Sequence, residues 1–179
     1  MIESVNQQVI ESGIRYLSCH TPRDYGDPRG EYFALRDSAG VIDLSDWALL
    51  AVRGADCASF LHGMLTQDVK GMPVQQGNYA LFLTPKGKIR ADLWIFQRSD
   101  DFLLLTYPEL RETLRDGLSH YLITEDVEIQ DRTGEKTILA VSGPQSEEIL
   151  HRVFRESSIP PVDYQMSTMH ETVFGFEIL

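Results

Sequence analysis

The chain has 179 residues, a hydrophobic fraction of 42% and a formal net charge of −11. That length suits one domain, or one and a part, and the composition is too apolar for general disorder. The acidic balance argues against broad nucleic-acid binding and against an anionic membrane surface, since both need an excess of Lys and Arg.

Met1 to Ile10 is polar and lacks a signal-peptide apolar core, and no apolar run approaches bilayer length, so the chain reads as cytoplasmic. Residues 1–30 form a weakly patterned lead segment, and Thr21 to Glu31 ("TPRDYGDPRGE") reads as a turn-rich surface loop. Ala48 to Val52 is a short apolar run and reads as a buried strand. Cys57, Phe60, Leu61, Met64 and Leu65 then fall on one helical stripe, with Asp56 as the N-cap.

A hairpin is expected from about Asn78 to Gln97, turning at "TPKGK". In its second strand Ile89, Ala91, Leu93 and Ile95 alternate with Arg90, Asp92, Trp94 and Phe96. A polar pair beside two aromatics is either a half-solvated face or the wall of a site. Asp101 to Tyr107 reads as a third strand. Pro108 opens a helix carrying Leu110, Leu114, Leu118, Tyr121 and Leu122. Val127–Asp131 and Thr137–Ser142 read as strands around a Thr133-Gly134 turn, and a helix starts at Pro144 with Ile149, Leu150, Val153 and Phe154 facing inward. "SSIPPVDY" reads as a loop and "TVFGFEIL" as a terminal strand. The fold class is α+β, with mixed or antiparallel sheets and packed helices.

Several chemistries find no support. The five histidines have no metal-ligand spacing, "PKGK" lacks the rest of a P-loop, and neither G-x-G-x-x-G nor G-x-S-x-G appears. Of the two cysteines, Cys57 lies on the helical stripe and reads as a buried, reduced thiol. Asp100-Asp101 and Glu147-Glu148 read as solvated charges. Trp47, in "LSDW", reads either as a core-edge tryptophan or as a flat surface for an aromatic ligand.

Three blocks, "AGVIDLSDWALLAVRGADCASFLHGMLTQDV", "YALFLTPKGKIRADLWIF" and "LAVSGPQ", resemble the glycine-cleavage T-protein superfamily in order and spacing. "SDWALLAVRGAD" and "PKGKIRADL" look most like its YgfZ-type, folate-binding branch, linked to iron-sulfur cluster maintenance and tRNA modification. The resemblance implies that residues 1–179 are the N-terminal region of a clover-leaf folate-binding fold, incomplete at the C-terminus. It implies a tetrahydrofolate site contacted by Trp47, Tyr79 and Glu177, with Glu177 on the pterin amino edge. Lys88 and Arg90, with Lys86 beside them, would meet the anionic glutamyl tail.

Some positions depart from the family pattern. Where T-proteins carry "DDL", with the first aspartate catalytic, this chain has Ala91 and then Asp92. Asp92 on a strand faces opposite to Ala91, so it serves as the catalytic residue only through a shift of register. Tyr107 stands in place of a folate-binding asparagine, His170 replaces a tyrosine, and the YgfZ-type K-G-C-Y-x-G-Q-E segment does not occur. The resemblance and its departures leave three readings. The first is a YgfZ-type tetrahydrofolate-binding protein assisting iron-sulfur proteins. The second is an aminomethyltransferase working with a lipoyl carrier protein. The third is a partial domain without a ligand.

Overall fold

The computed structural model describes residues 15–16, 22–74 and 76–154. Cys19, His20, His170, Glu177, the loop at residues 157–164 and the expected terminal strand lie outside them. In chain order the strands are β1 (Arg15–Tyr16), β2 (Pro22–Asp24), β3 (Gly40–Asp43), β4 (Ala48–Arg53), β5 (Gly77–Leu83), β6 (Ile89–Gln97), β7 (Phe102–Thr106), β8 (Glu128–Asp131) and β9 (Leu139–Ser142). The helices are α1 (Pro28–Asp37), α2 (Cys57–Met64), α3 (Arg111–Ser119) and α4 (Ser146–Phe154), with a 3-10 turn at Pro108–Leu110 leading into α3. Every strand pairing described is antiparallel, so the α+β class holds. The described residues divide into two compact units, Trp47–Lys136 and the stretches on either side of it.

The flanking unit holds two ribbons, β1 with β2 and β3 with β9, together with α1 and α4. Two elements here contradict the sequence expectation of a loop from Thr21 to Glu31. Pro22–Asp24 is a strand, and a helix begins at Pro28. Asp27 caps that helix by accepting the Gly30 N–H at 3.0 Å, Pro28 occupies the first turn, and Glu31 accepts the N–H groups of Tyr25 and Asp27. Acceptors at the N-terminus and a proline where no donor is needed are strong start signals. The helix buries no residue completely, and its half-buried positions are Glu31, Ala34 and Leu35.

The Trp47–Lys136 unit is a five-stranded sheet in the order β5-β6-β7-β4-β8. Leu50, Val52, Ala80, Phe82, Ala91, Leu93, Ile95, Phe102 and Leu104 of the sheet share one core with Phe60 and Leu61 of α2 and Leu114 and Leu118 of α3. Alternation on paired strands therefore leaves Tyr79, Asp92, Trp94, Leu105 and Leu49 on the opposite face. β4 lies between β7 and β8, and its residues 48–52 are all buried, which is why it reads as a continuous apolar run.

Two expectations are corrected here, and a third holds in position only. Helix α2 ends at Met64, and Leu65 is extended and bridges to Phe82 instead of adding to the helical stripe. Asp56 stands at the N-cap of α2 as expected, but it makes no side-chain cap bond, and its carboxylate accepts the Asp126 N–H at 2.9 Å. β8 and β9 do not form a hairpin. β8 pairs with β4 and β9 with β3, in different sheets. The Thr133-Gly134 turn, with Gly134 at φ +80°, starts the passage between them.

Asp101 is not a solvated charge. Its side chain is 1% exposed and accepts Arg98 at 2.6 and 2.7 Å and Arg53 at 3.2 Å. Burial pushes the carboxyl up, but the hydrogen bonds and charges of the two guanidiniums outweigh it and hold the group below its ordinary value. Its contribution to stability is therefore complete above the unfolded carboxylate value and is lost as pH falls through the lower folded one. Asp101→Asn should cost on the order of 2 kcal/mol at pH 7, less than for a sealed pair because both arginines reach solvent. Urea midpoints should show the gap between wild type and variant narrowing as pH drops below about 4. A gap that holds down to about pH 2 would contradict this.

Candidate functional site

The β5–β6 hairpin sets the geometry. Its turn is closed by the Thr84 N–H donating to the Lys88 carbonyl at 2.7 Å and the Gly87 N–H to the Thr84 carbonyl at 2.8 Å. Gly87 sits at φ +76°, a conformation that suits glycine. Pairing is regular from Gly77↔Phe96 to Phe82↔Ala91, and the next pair is Leu83↔Ile89. Arg90 is thus the extra residue of a β-bulge.

The bulge overturns the expected alternation at the start of β6. Ile89 is 64% exposed, while Ala91, Leu93 and Ile95 are buried as expected. Arg90 does not join Asp92 and Trp94. Its guanidinium lies over the Phe82 ring, 5.2 Å from the centroid, on the helix-covered side. Gly117 of α3 makes room there, since a Cβ would stand 2.6 Å from Phe82 Cε1 and 3.3 Å from Arg90 Nη1. Arg90 borders a depression of ≈ 520 Å³ with Glu112, Thr113, Asp116 and His120, where both signs of charge are present. Lys86 and Lys88 are exposed in the turn. The three basic residues therefore do not form one patch on one face.

The opposite face of the sheet collects aromatics around one carboxylate. Tyr79 pairs with Trp94 across the strands, with ring centroids 5.2 Å apart and planes at 64°. Its hydroxyl donates to Asp92 Oδ2 at 2.9 Å. Trp47, just ahead of β4, packs against Tyr107, just beyond β7, at 4.4 Å between centroids and 40° between planes. Tyr79 is 39% exposed and Tyr107 45%, so the face retains open ring surface. Ala91, where the family pattern has its first aspartate, is 1% exposed and faces the core, so the carboxylate on the aromatic face is that of Asp92, which reaches it without the expected shift of register between Ala91 and Phe96.

Asp92 changes Tyr79. Burial raises the phenol first, and the hydrogen bond to Asp92, the carboxylate charge and Tyr107 add to it, to about 12. The phenol therefore stays protonated and keeps donating throughout the physiological range. Flat rings with a carboxylate suit a planar heteroaromatic ligand, with the rings offering stacking area and the oxygens accepting its N–H groups.

Of the site residues expected from sequence, Trp47, Tyr79 and Asp92 share this face. Lys88 is in the turn, Arg90 is on the far side, and Glu177 lies outside the described residues. Trp94 and Tyr107 join the face, although neither is among the folate contacts named from the sequence. For Trp94 the signal is its alternation with Asp92, and for Tyr107 it is its place where the family pattern has a folate-binding asparagine. Cys57 is free and half-buried, and burial raises its thiol above the ordinary value. Among the described residues no cluster of three or more His, Cys, Asp or Glu side chains is arranged to hold a metal, and no helix is long and apolar enough to cross a membrane.

The GCVT N-terminal domain family matches residues 16–177. The chain belongs to this family. It is 36% identical over 140 residues to an aminomethyltransferase of Chlorobaculum tepidum, covering 77% of the chain and 38% of the relative. It is 32% identical over 136 residues to the tRNA-modifying protein YgfZ of an Enterobacter species, covering 76% and 41%. Among solved structures, the glycine cleavage system aminomethyltransferase T from Bartonella henselae shares the fold at a TM-score of 0.70 and 22% identity, over 84% of this chain and 42% of that one. The chain spans about two fifths of the length of these relatives.

Asp92→Asn keeps the shape of the site and removes its charge. The Tyr79 phenol should then titrate below about 12, yet stay above the ordinary 10 because burial remains. NMR of tyrosines labelled at Cζ, with Tyr79→Phe for assignment, reads this directly. An unmoved midpoint would mean that Asp92 does not hold the phenol.

Proposed function

We propose that this chain binds a tetrahydrofolate on the aromatic face of its five-stranded sheet, with Asp92 as the carboxylate that meets the ligand. The observation that carries the reading is the convergence of Trp47, Tyr79, Trp94, Tyr107 and Asp92 on one face. The residues present fit the group: rings for the pterin plane and a carboxylate for its N–H donors. Family membership supports the same ligand.

The face also bears on the chemistry of the bound ligand. Ala91 in the core does not deprive the site of a carboxylate, because Asp92 occupies the face. That favours an aminomethyltransferase, in which a one-carbon unit from a lipoyl carrier protein passes to tetrahydrofolate and Asp92 positions the ligand nitrogens. The YgfZ-type reading, folate binding in support of iron-sulfur proteins without transfer, rests on the "SDWALL" and "PKGKIRADL" blocks and on the match to the YgfZ relative. Ammonia release with a lipoyl donor and tetrahydrofolate separates them. The transfer reading expects release that falls about 10²- to 10⁴-fold in Asp92→Asn. No release by wild type, with tetrahydrofolate bound, assigns the chain to the YgfZ type.

Calorimetric titration tests the site itself. Trp47→Ala should weaken tetrahydrofolate binding by about 1 to 3 kcal/mol, the scale of a buried aromatic anchor. Lys88→Ala should weaken a polyglutamylated ligand more than a tail-less pterin, with a difference that shrinks in salt. Arg90→Ala should leave both affinities unchanged, because the bulge turns its guanidinium away. Unchanged affinity in a folded Trp47→Ala variant would remove the aromatic face from the account.

A further inference from the structure

We infer that Thr106 is a positioning residue whose hydroxyl, bonded to the Asp92 carbonyl, aims the Asp92 carboxylate into the aromatic face. The inference rests on the proposed folate site for its bearing on the ligand, but not for its geometry.

The β6–β7 pairing runs from Gln97↔Phe102 to Trp94↔Leu105 and stops. Beyond Leu105 come Thr106, Tyr107 and Pro108, and Pro108 begins the 3-10 turn and has no N–H to offer a ladder. Thr106 is still paired with Ala48 of β4 on its other side. Asp92 therefore lies two residues past the last β6–β7 pair, and among the described residues its main-chain pairing is with Leu81 of β5 alone. The Thr106 hydroxyl fills that gap, with Oγ1 donating to the Asp92 carbonyl at 2.6 Å, and Thr106 is 0% exposed.

Two bonds then meet at one residue. The main chain of Asp92 is held by Thr106, and its carboxylate accepts the Tyr79 hydroxyl. On a strand the side-chain direction follows the orientation of its own peptide planes. A carbonyl pinned by a sealed hydroxyl therefore fixes where the carboxylate stands relative to Tyr79. Without that donor the β6 segment between the bulge at Arg90 and the last ladder pair at Trp94 has one supported side and one loose side.

The test reads Tyr79 and needs no ligand. Thr106→Val keeps the volume and removes the donor, whereas Thr106→Ser keeps the donor. In Cζ-labelled protein the Tyr79 midpoint should fall by about one pH unit in Thr106→Val, as the carboxylate moves off the phenol, and return to the wild-type value in Thr106→Ser. Tetrahydrofolate affinity should show the same order, about tenfold weaker in Val and restored in Ser. If Thr106→Val does not fold, Thr106→Cys, a weaker donor in similar space, should give an intermediate midpoint. A midpoint unmoved in folded Val or Cys variants, or moved equally by Ser and Val, overturns the inference. A midpoint that responds as described in a protein that binds no folate upholds the positioning role and removes the folate reading.

Discussion

The β5–β6 hairpin carries one more residue on β6 than on β5 between Ile89 and Ala91, and the position of that residue decides which chemistry appears on each face of the sheet. Side chains on a strand alternate with period two, so a single insertion inverts the facing of the residues before it relative to those after it. Upstream of the bulge Ile89 is exposed. Downstream, Ala91, Leu93 and Ile95 reach the core and Asp92 and Trp94 reach the other side. The extra residue, Arg90, is left to stack on Phe82 beneath Gly117. Without the bulge Arg90 would share a face with Asp92 and neutralise the carboxylate that the aromatic rings surround.

Much of this was legible in the sequence where the signal is local. The apolar run at Ala48–Val52, the hairpin, the strand before Pro108 and the core positions Leu114 and Leu118 all come from spacing and turn residues within a few positions of each other. The features that were not legible depend on partners far along the chain. β8 and β9 look like a hairpin in sequence, but their partners β4 and β3 stand far earlier in the chain, and period-two patterning names no partner. Asp101 looks like a surface charge beside Asp100 until Arg53 from another strand arrives next to it. The helix at Pro28 carries its start signal in Asp27-Pro28 with Glu31, but none of its residues is fully buried, and the turn residues ahead of it read as loop.

The candidate site was legible in part for the same reason. Trp47 is legible from its own setting in "LSDW" and from the resemblance, Tyr79 from the resemblance alone, and both stand on the face that bears Asp92. The basic cluster was inferred from closeness in sequence, which a bulge makes a poor guide to closeness in space. Acidic side chains in the central unit do different work according to their surroundings. Asp101 is held ionised by two guanidiniums, whereas Asp92 has a phenol for its partner and keeps an oxygen, Oδ1, without a hydrogen bond among the described residues. The first arrangement serves stability, and the second leaves acceptor capacity for a ligand.

The central claim is that a folate lies on the face bearing Trp47, Tyr79 and Asp92. Intermolecular NOEs between the protons of a bound reduced folate and the aromatic protons of the protein test it most directly. The account predicts cross-peaks from the pterin protons to the Trp47 indole and the Tyr79 ring. Cross-peaks to His120 beside the Arg90 depression, with none to Trp47 or Tyr79, would place the ligand on the other side of the sheet and contradict the account.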